Sequence, residues 1–135
     1  MNRKLDSESM GLINTFESAT GAAVKDCIIG DRVLFIVEEN QMGKAIGKNG
    51  VNIKKMEYLL KKKIRLAEFN SDAAQFVKNL VYPNEVSVEK KESTITVHCK
   101  DSGTRAMVIG RERQNINTIS DIAKRYFDVT EIKVA

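Results

Sequence analysis

The chain is 135 residues long, 42% apolar and 30% charged, with a net charge of +4 and two cysteines. That length allows one ordinary domain or two very small ones, and the apolar share excludes global disorder. No apolar run is long enough to span a membrane and no secretory leader is read at the start, so a cytoplasmic, reducing setting is expected, with Cys27 and Cys99 as buried free thiols.

Asp6 or Ser7 can cap a first helix whose apolar side carries Leu12, Ile13, Phe16 and Ala19, with Gly21 as its stop. Ala22 to Ile29 reads as a strand, Gly30-Asp31 as a two-residue turn, and Arg32 to Glu38 as the returning strand. A short helical stretch from Gln41 to Ile46 leads into a glycine loop. The next helix runs from Val51 to Lys62, with Ile53, Met56, Leu59 and Leu60 as its inward stripe. Ile64 to Phe69 closes the unit through Ile64, Leu66 and either Ala67 or Phe69.

The second half repeats this order. Ser71 or Asp72 starts a helix through Phe76, Val77 and Leu80, which Pro83-Asn84 ends. Glu85 to Glu89 is a strand with Val86 and Val88 on one face, Lys90 to Glu92 is the turn, and Ser93 to Lys100 returns with Ile95, Val97 and Cys99 on one face. Gly103 to Ile109 is a short helix. Asn115 to Tyr126 is a longer one, facing inward through Ile116, Ile119, Ile122 and Ala123. Phe127 to Val134 closes the unit through Val129, Ile132 and Val134. Each half therefore reads α-β-β-α-α-β, an α+β organisation divided into residues 1–70 and 71–135.

One octet occurs twice at matching places in this order. Ile46-Gly47-Lys48-Asn49-Gly50-Val51-Asn52-Ile53 returns as Ile109-Gly110-Arg111-Glu112-Arg113-Gln114-Asn115-Ile116, with the Ile, Gly, Asn and Ile positions identical. Each copy sets a glycine and a cation in a tight loop and then opens an amphipathic helix, a geometry that suits an anion near the helix start. Residues 44 to 65 hold eight cations, Lys44, Lys48, Lys54, Lys55, Lys61, Lys62, Lys63 and Arg65, against one acid, Glu57, so the rest of the chain is net acidic. Charge concentrated in this way suits a polyanion better than a small acidic molecule.

An Ile-Gly-x-x-Gly loop between two helices, flanked by a three-stranded sheet, resembles a KH domain. The additional helix and strand at the N-terminal side resemble its type II, prokaryotic form, and two such units in tandem resemble the short archaeal NusA-like transcription factors. The resemblance covers residues 7 to 135 and implies two tandem type II KH domains that bind single-stranded RNA, clamping the backbone of about four nucleotides. It implies a role in transcription elongation, termination or antitermination, with RNA polymerase or another transcription factor as a further partner. The expected RNA-binding residues are Lys44, Ile46, Gly47, Lys48, Asn49, Gly50, Lys54 and Lys55 in the first unit, and Gly110, Arg111 and Arg113 in the second. Gly47 and Gly50 lack a Cβ, so a ribose-phosphate chain can come close. Amides at the start of the Val51 helix are expected as free donors, Lys48 and Asn49 as side-chain contacts, and Ile46 and Ile53 as the groove floor from beneath. The second copy departs from the pattern: Arg113 stands where the final glycine would be, which strains the loop if its φ is positive. Lys124 and Arg125 extend the same basic surface. Nothing in this sequence corresponds to the polymerase-binding domain and oligonucleotide-binding barrel that precede the KH pair in longer bacterial relatives.

Other chemistry is poorly served. Gly43 to Asn49 superficially resembles a nucleotide-binding P-loop, but only three residues separate its glycines and Asn49 follows the lysine where Ser or Thr would hold magnesium. His98, the only histidine, neighbours Cys99, and adjacent strand residues point to opposite faces. No Cys-x-x-Cys or His-rich spacing suggests zinc, and Glu38-Glu39 reads as a solvated strand end. No cofactor and no enzymatic activity are expected. Phe16, Phe35, Phe69, Phe76 and Phe127 fall at core-like positions, while Tyr58, Tyr82 and Tyr126 are candidate surface aromatics that form no stacking platform of the RRM kind. Two other readings stay open: a protein-interaction module of a ribosomal or polymerase assembly with incidental RNA contact, and binding of single-stranded DNA.

Overall fold

The computed structural model describes residues 7–135, so Asp6 lies outside the described residues. They form two compact units, the first ending at Phe69 and the second beginning at Asn70. The first comprises α1 (Ser7–Thr20), β1 (Val24–Ile29), β2 (Val33–Val37), α2 (Met42–Ile46), α3 (Val51–Leu60) and β3 (Ile64–Glu68). The second comprises α4 (Ala73–Val81), β4 (Val86–Lys91), β5 (Thr94–Cys99), α5 (Ser102–Ile109), α6 (Gln114–Tyr126) and β6 (Glu131–Val134). Single 3-10 turns, Lys48–Gly50 and Arg111–Arg113, join α2 to α3 and α5 to α6.

Each unit has its own three-stranded sheet, in the orders β1-β2-β3 and β4-β5-β6. The first pair is antiparallel and the second parallel in both sheets. Parallel neighbours cannot be joined by a tight hairpin; the chain has to cross over, and it does so through a helical segment. In the first unit that crossover is α2, the 3-10 turn and α3, which puts the glycine turn midway along it.

In the first unit α1 lays Ile13 and Phe16 on one sheet face, where Cys27, Val33, Phe35, Val37, Ala45, Met56 and Ile64 complete the core. Phe16 stacks on Phe35 with ring centroids 4.3 Å apart. The pairing Cys27↔Phe35 and Phe35↔Leu66 keeps these side chains on one face, as the two-residue strand period requires. Gly21, at φ 76, ends α1 with its N–H on the Glu17 carbonyl at 2.8 Å. The β1–β2 connection has three residues, Gly30 to Arg32, instead of the two expected, because Ile29 pairs with Val33. Helix α3 stops at Leu60, where Lys61 turns left-handed (φ 56), and Leu59 is exposed, not inward. Ile64 and Leu66 pack against the core, while Ala67 is buried out of phase with them.

In the second unit Phe76 is buried with Tyr126 and Phe127 against it, at centroid distances of 6.3 and 5.8 Å. Tyr126 is thus a packing residue, not a surface aromatic. Ile95, Val97, Val108, Ile116, Ile119, Ile122 and Ala123 are buried. The Asp72 carboxylate caps α4 through Ala74 N–H, and Tyr82 turns extended before Pro83, ending the helix. Strand β4 runs on to Lys91, so the turn is the pair Glu92-Ser93, with Glu92 at φ 57. The last strand begins only at Glu131, although Val129 is buried ahead of it. Cys27 is buried as expected, whereas Cys99 is half-buried; both are free thiols. No helix among the described residues is long and apolar enough to cross a membrane.

Candidate nucleic-acid interface

The chain leaves α2 through Gly47, whose φ of 74° and ψ of 171° belong to a backbone region open essentially to glycine alone. Gly47 N–H closes α2 on the Gly43 carbonyl at 2.9 Å, and Gly50 N–H returns to the Gly47 carbonyl at 3.2 Å. Asn49 (φ 57) and Gly50 (φ 74) are both left-handed, which turns the chain sharply into α3. Asparagine and glycine are the residues that take this conformation at least cost.

A second constraint explains why asparagine recurs in the octet. Asn52 Nδ2 donates to the Lys44 carbonyl at 2.7 Å, bridging from the first turn of α3 back to α2. A Cβ placed on Gly47 would lie 2.8 Å from Asn52 Cγ. Gly47 is therefore held by its own backbone angles and by the asparagine that fills the space beside it. The glycine serves the protein's interior packing before it serves any ligand. Gly50 is different, because a Cβ there would meet nothing within 4 Å. The open approach lies at Gly50.

Lys44, Lys48, Asn49, Lys54 and Lys55 are all exposed. Among the described residues, none of these side chains has a protein partner. Two of the amides at the start of α3 are not the free donors that sequence suggested: the 3-10 turn uses Gly50 N–H and Val51 N–H, the latter on the Lys48 carbonyl. Ile46 is 36% exposed and Ile53 half-buried, so Ile46 sits at the surface and not beneath a floor. Arg65 is half-buried on β3, which takes it out of the fully exposed basic face; burial, and then the neighbouring Arg32 charge, hold its guanidinium below its usual range. Lys61, at the C-terminal end of α3, also complements the helix dipole.

The second turn copies the first. Gly110 (φ 77, ψ 170), Glu112 (φ 54) and Arg113 (φ 61) reproduce the angles of Gly47, Asn49 and Gly50. Asn115 Nδ2 donates to the Met107 carbonyl at 2.9 Å, and a Cβ on Gly110 would lie 2.6 Å from Asn115 Cγ. The φ of Arg113 is positive, so the strain anticipated for a non-glycine residue there is present. Arg111, Glu112 and Arg113 are exposed without protein partners among the described residues, and Lys124 is exposed on α6. The paired asparagines were visible in the repeated octet, yet only the structure gives them a task; Tyr58, a candidate surface aromatic in the sequence, is exposed as expected.

Two α-β-β-α-α-β units, each with a mixed sheet and a glycine turn between its last two helices, have the type II KH architecture. The KH domain model matches residues 13–93. Among curated proteins, the Probable transcription termination protein NusA of Methanococcus vannielii is 37% identical over 99% of this chain and 80% of its own length. Its namesake from Halococcus morrhuae is 34% identical over the whole of both chains. A solved structure, the crystal structure of APE1850, superposes with a TM-score of 0.74 at 25% identity, covering 97% of this chain and all of that one. The chain belongs to the KH-domain family, within its archaeal NusA group.

Proposed function

We propose that this RNA-binding protein of the NusA type holds single-stranded RNA on the Gly47–Gly50 turn and acts in transcription termination or antitermination. One observation carries the reading: the turn is open at Gly50 while the adjoining Lys48 and Asn49 side chains are exposed and lack protein partners among the described residues. A phosphate approaching there meets a mobile ammonium and a carboxamide, and no Cβ stands in its way. Lys44, Lys54 and Lys55 supply the field that draws the polyanion in. The second turn offers the same backbone with side chains in place of the open glycine, so Arg111 and Arg113 would hold phosphate through guanidinium groups, with Glu112 as a local brake.

Action in the cytoplasm, with RNA polymerase as the assembly served, is part of this proposal; its support is the transcription-termination name that the relatives carry. The test of the RNA clamp is fluorescence anisotropy on an unstructured RNA with Lys48→Asp/Asn49→Asp. Affinity should fall at least tenfold with the circular dichroism spectrum unchanged; equal affinity would reject the first turn as the clamp. A matched single-stranded DNA reports whether the 2′-hydroxyl contributes.

A further inference from the structure

The outward face of α3 has a composition that the clamp does not require. At the helical period, Val51, Lys54, Lys55 and Tyr58 fall on one side, opposite buried Met56. Val51 is 55% and Tyr58 81% exposed, and the two lysines between them are exposed as well. Tyr58 makes no hydrogen bond and no ring contact with any described residue. The single acid of the helix, Glu57, is turned away, its carboxylate accepting Ile64 N–H at 3.0 Å. Beyond Tyr58 come Lys61, Lys62 and Lys63. The stripe starts at Val51, directly after the open Gly50, and Tyr58 lies about 10 Å further along the helix axis.

A lone exposed tyrosine needs no explanation. A tyrosine flanked by cations, in line with a phosphate-binding turn and with no acid facing it, is what a stacked, unpaired base requires. The duplicate unit serves as an internal comparison. On α6 the equivalent positions are Gln114, Asn117, Thr118 and Asp121, so the scaffold does not demand an aromatic or basic stripe there. Asp121 stands in the place of Tyr58 and would repel the same ligand.

We infer that single-stranded RNA longer than the four nucleotides of the clamp continues along α3, with one base stacked on Tyr58 and its flanking phosphates against Lys54, Lys55 and Lys62. The inference rests on the clamp reading and deepens it. It makes Tyr58 a binding residue and gives the first unit a longer footprint than the second.

The experiment compares unstructured 4-nucleotide and 10-nucleotide RNAs by anisotropy on the full chain. The variants are Tyr58→Ala, Tyr58→Phe and Lys48→Asp/Asn49→Asp. Tyr58→Ala should weaken the longer RNA roughly tenfold and leave the shorter one unchanged, while Tyr58→Phe, which keeps the ring, binds both as wild type does. Tyrosine emission gives an independent readout, because the chain has three tyrosines and no tryptophan. The longer RNA should quench it in the wild type and much less in Tyr58→Phe. If Tyr58→Ala leaves both RNAs unaffected while the loop variant weakens both, the stacking inference is overturned and the clamp stands; that result also fits a face reserved for a protein partner. If the loop variant leaves the longer RNA bound and Tyr58→Ala releases it, the stripe stands and the clamp falls.

Discussion

Gly47 and Gly110 show how much a single missing carbon can decide. Both sit at angles that L side chains avoid, and both face an asparagine less than 3 Å from where a Cβ would be. Gly47→Ala and Gly110→Ala should each cost about 2–3 kcal/mol, read by urea unfolding, since neither the backbone nor the asparagine can yield cheaply. Arg113 is the complementary case. It holds a left-handed conformation where the first turn has glycine, and nothing in the protein crowds that position in the first turn. Arg113→Gly should therefore stabilise the second unit by about 1 kcal/mol while weakening any phosphate contact made by the guanidinium. A thermal melt and an RNA titration on the same variant would separate the two effects, and a loss of stability would show that the arginine is bound into the fold.

The elements themselves were largely legible, and the exceptions have physical causes. Helix α6 reads cleanly because Ile116, Ile119, Ile122 and Ala123 are all buried on one side. Its counterpart α3 carries an equally apolar-looking stripe, yet Leu59 is exposed, because a ten-residue helix capped at Lys61 buries chiefly Met56. Strand ends erred where pairing, not propensity, sets the limit: Lys90 and Lys91 look like turn residues but pair with Ile95 and Thr94. The repeated octet marked the candidate site, while the geometry within it was hidden, since a sequence cannot show which glycine faces an asparagine and which faces open space. Capping brings a pH dependence to this scale. Asp101 caps α5 by accepting Thr104 N–H at 2.7 Å, and the hydrogen bonds from Thr104, backbone first and then hydroxyl, hold its carboxyl below the usual range. A carboxyl depressed on folding contributes stability above its unfolded value and loses it as pH falls through the folded one. Asp101→Asn should flatten that part of the acid-unfolding curve, and an unaltered curve would mean the cap is irrelevant to α5.

At the scale of the whole molecule, charge placement governs behaviour more than net charge does. Cations crowd residues 44 to 65 while the chain totals only +4, so affinity for RNA should be strongly salt-dependent even though the protein is nearly balanced. A plot of log affinity against log salt should be linear, and Lys54→Ala/Lys55→Ala should reduce its slope by roughly 1.4 if each lysine neutralises one phosphate. An unchanged slope would place both side chains off the path of the strand.

The asparagine bridges have a further consequence. Because Asn52 and Asn115 each tie the two helices of their turn together, the three residues between each glycine and its helix keep one backbone path while their side chains differ. The two turns are then interchangeable cassettes. Writing Lys-Asn-Gly in place of Arg111-Glu112-Arg113 should give the second unit the grip of the first, read as tighter binding of unstructured RNA by anisotropy; unchanged affinity would show that the turn sequence alone does not make the grip.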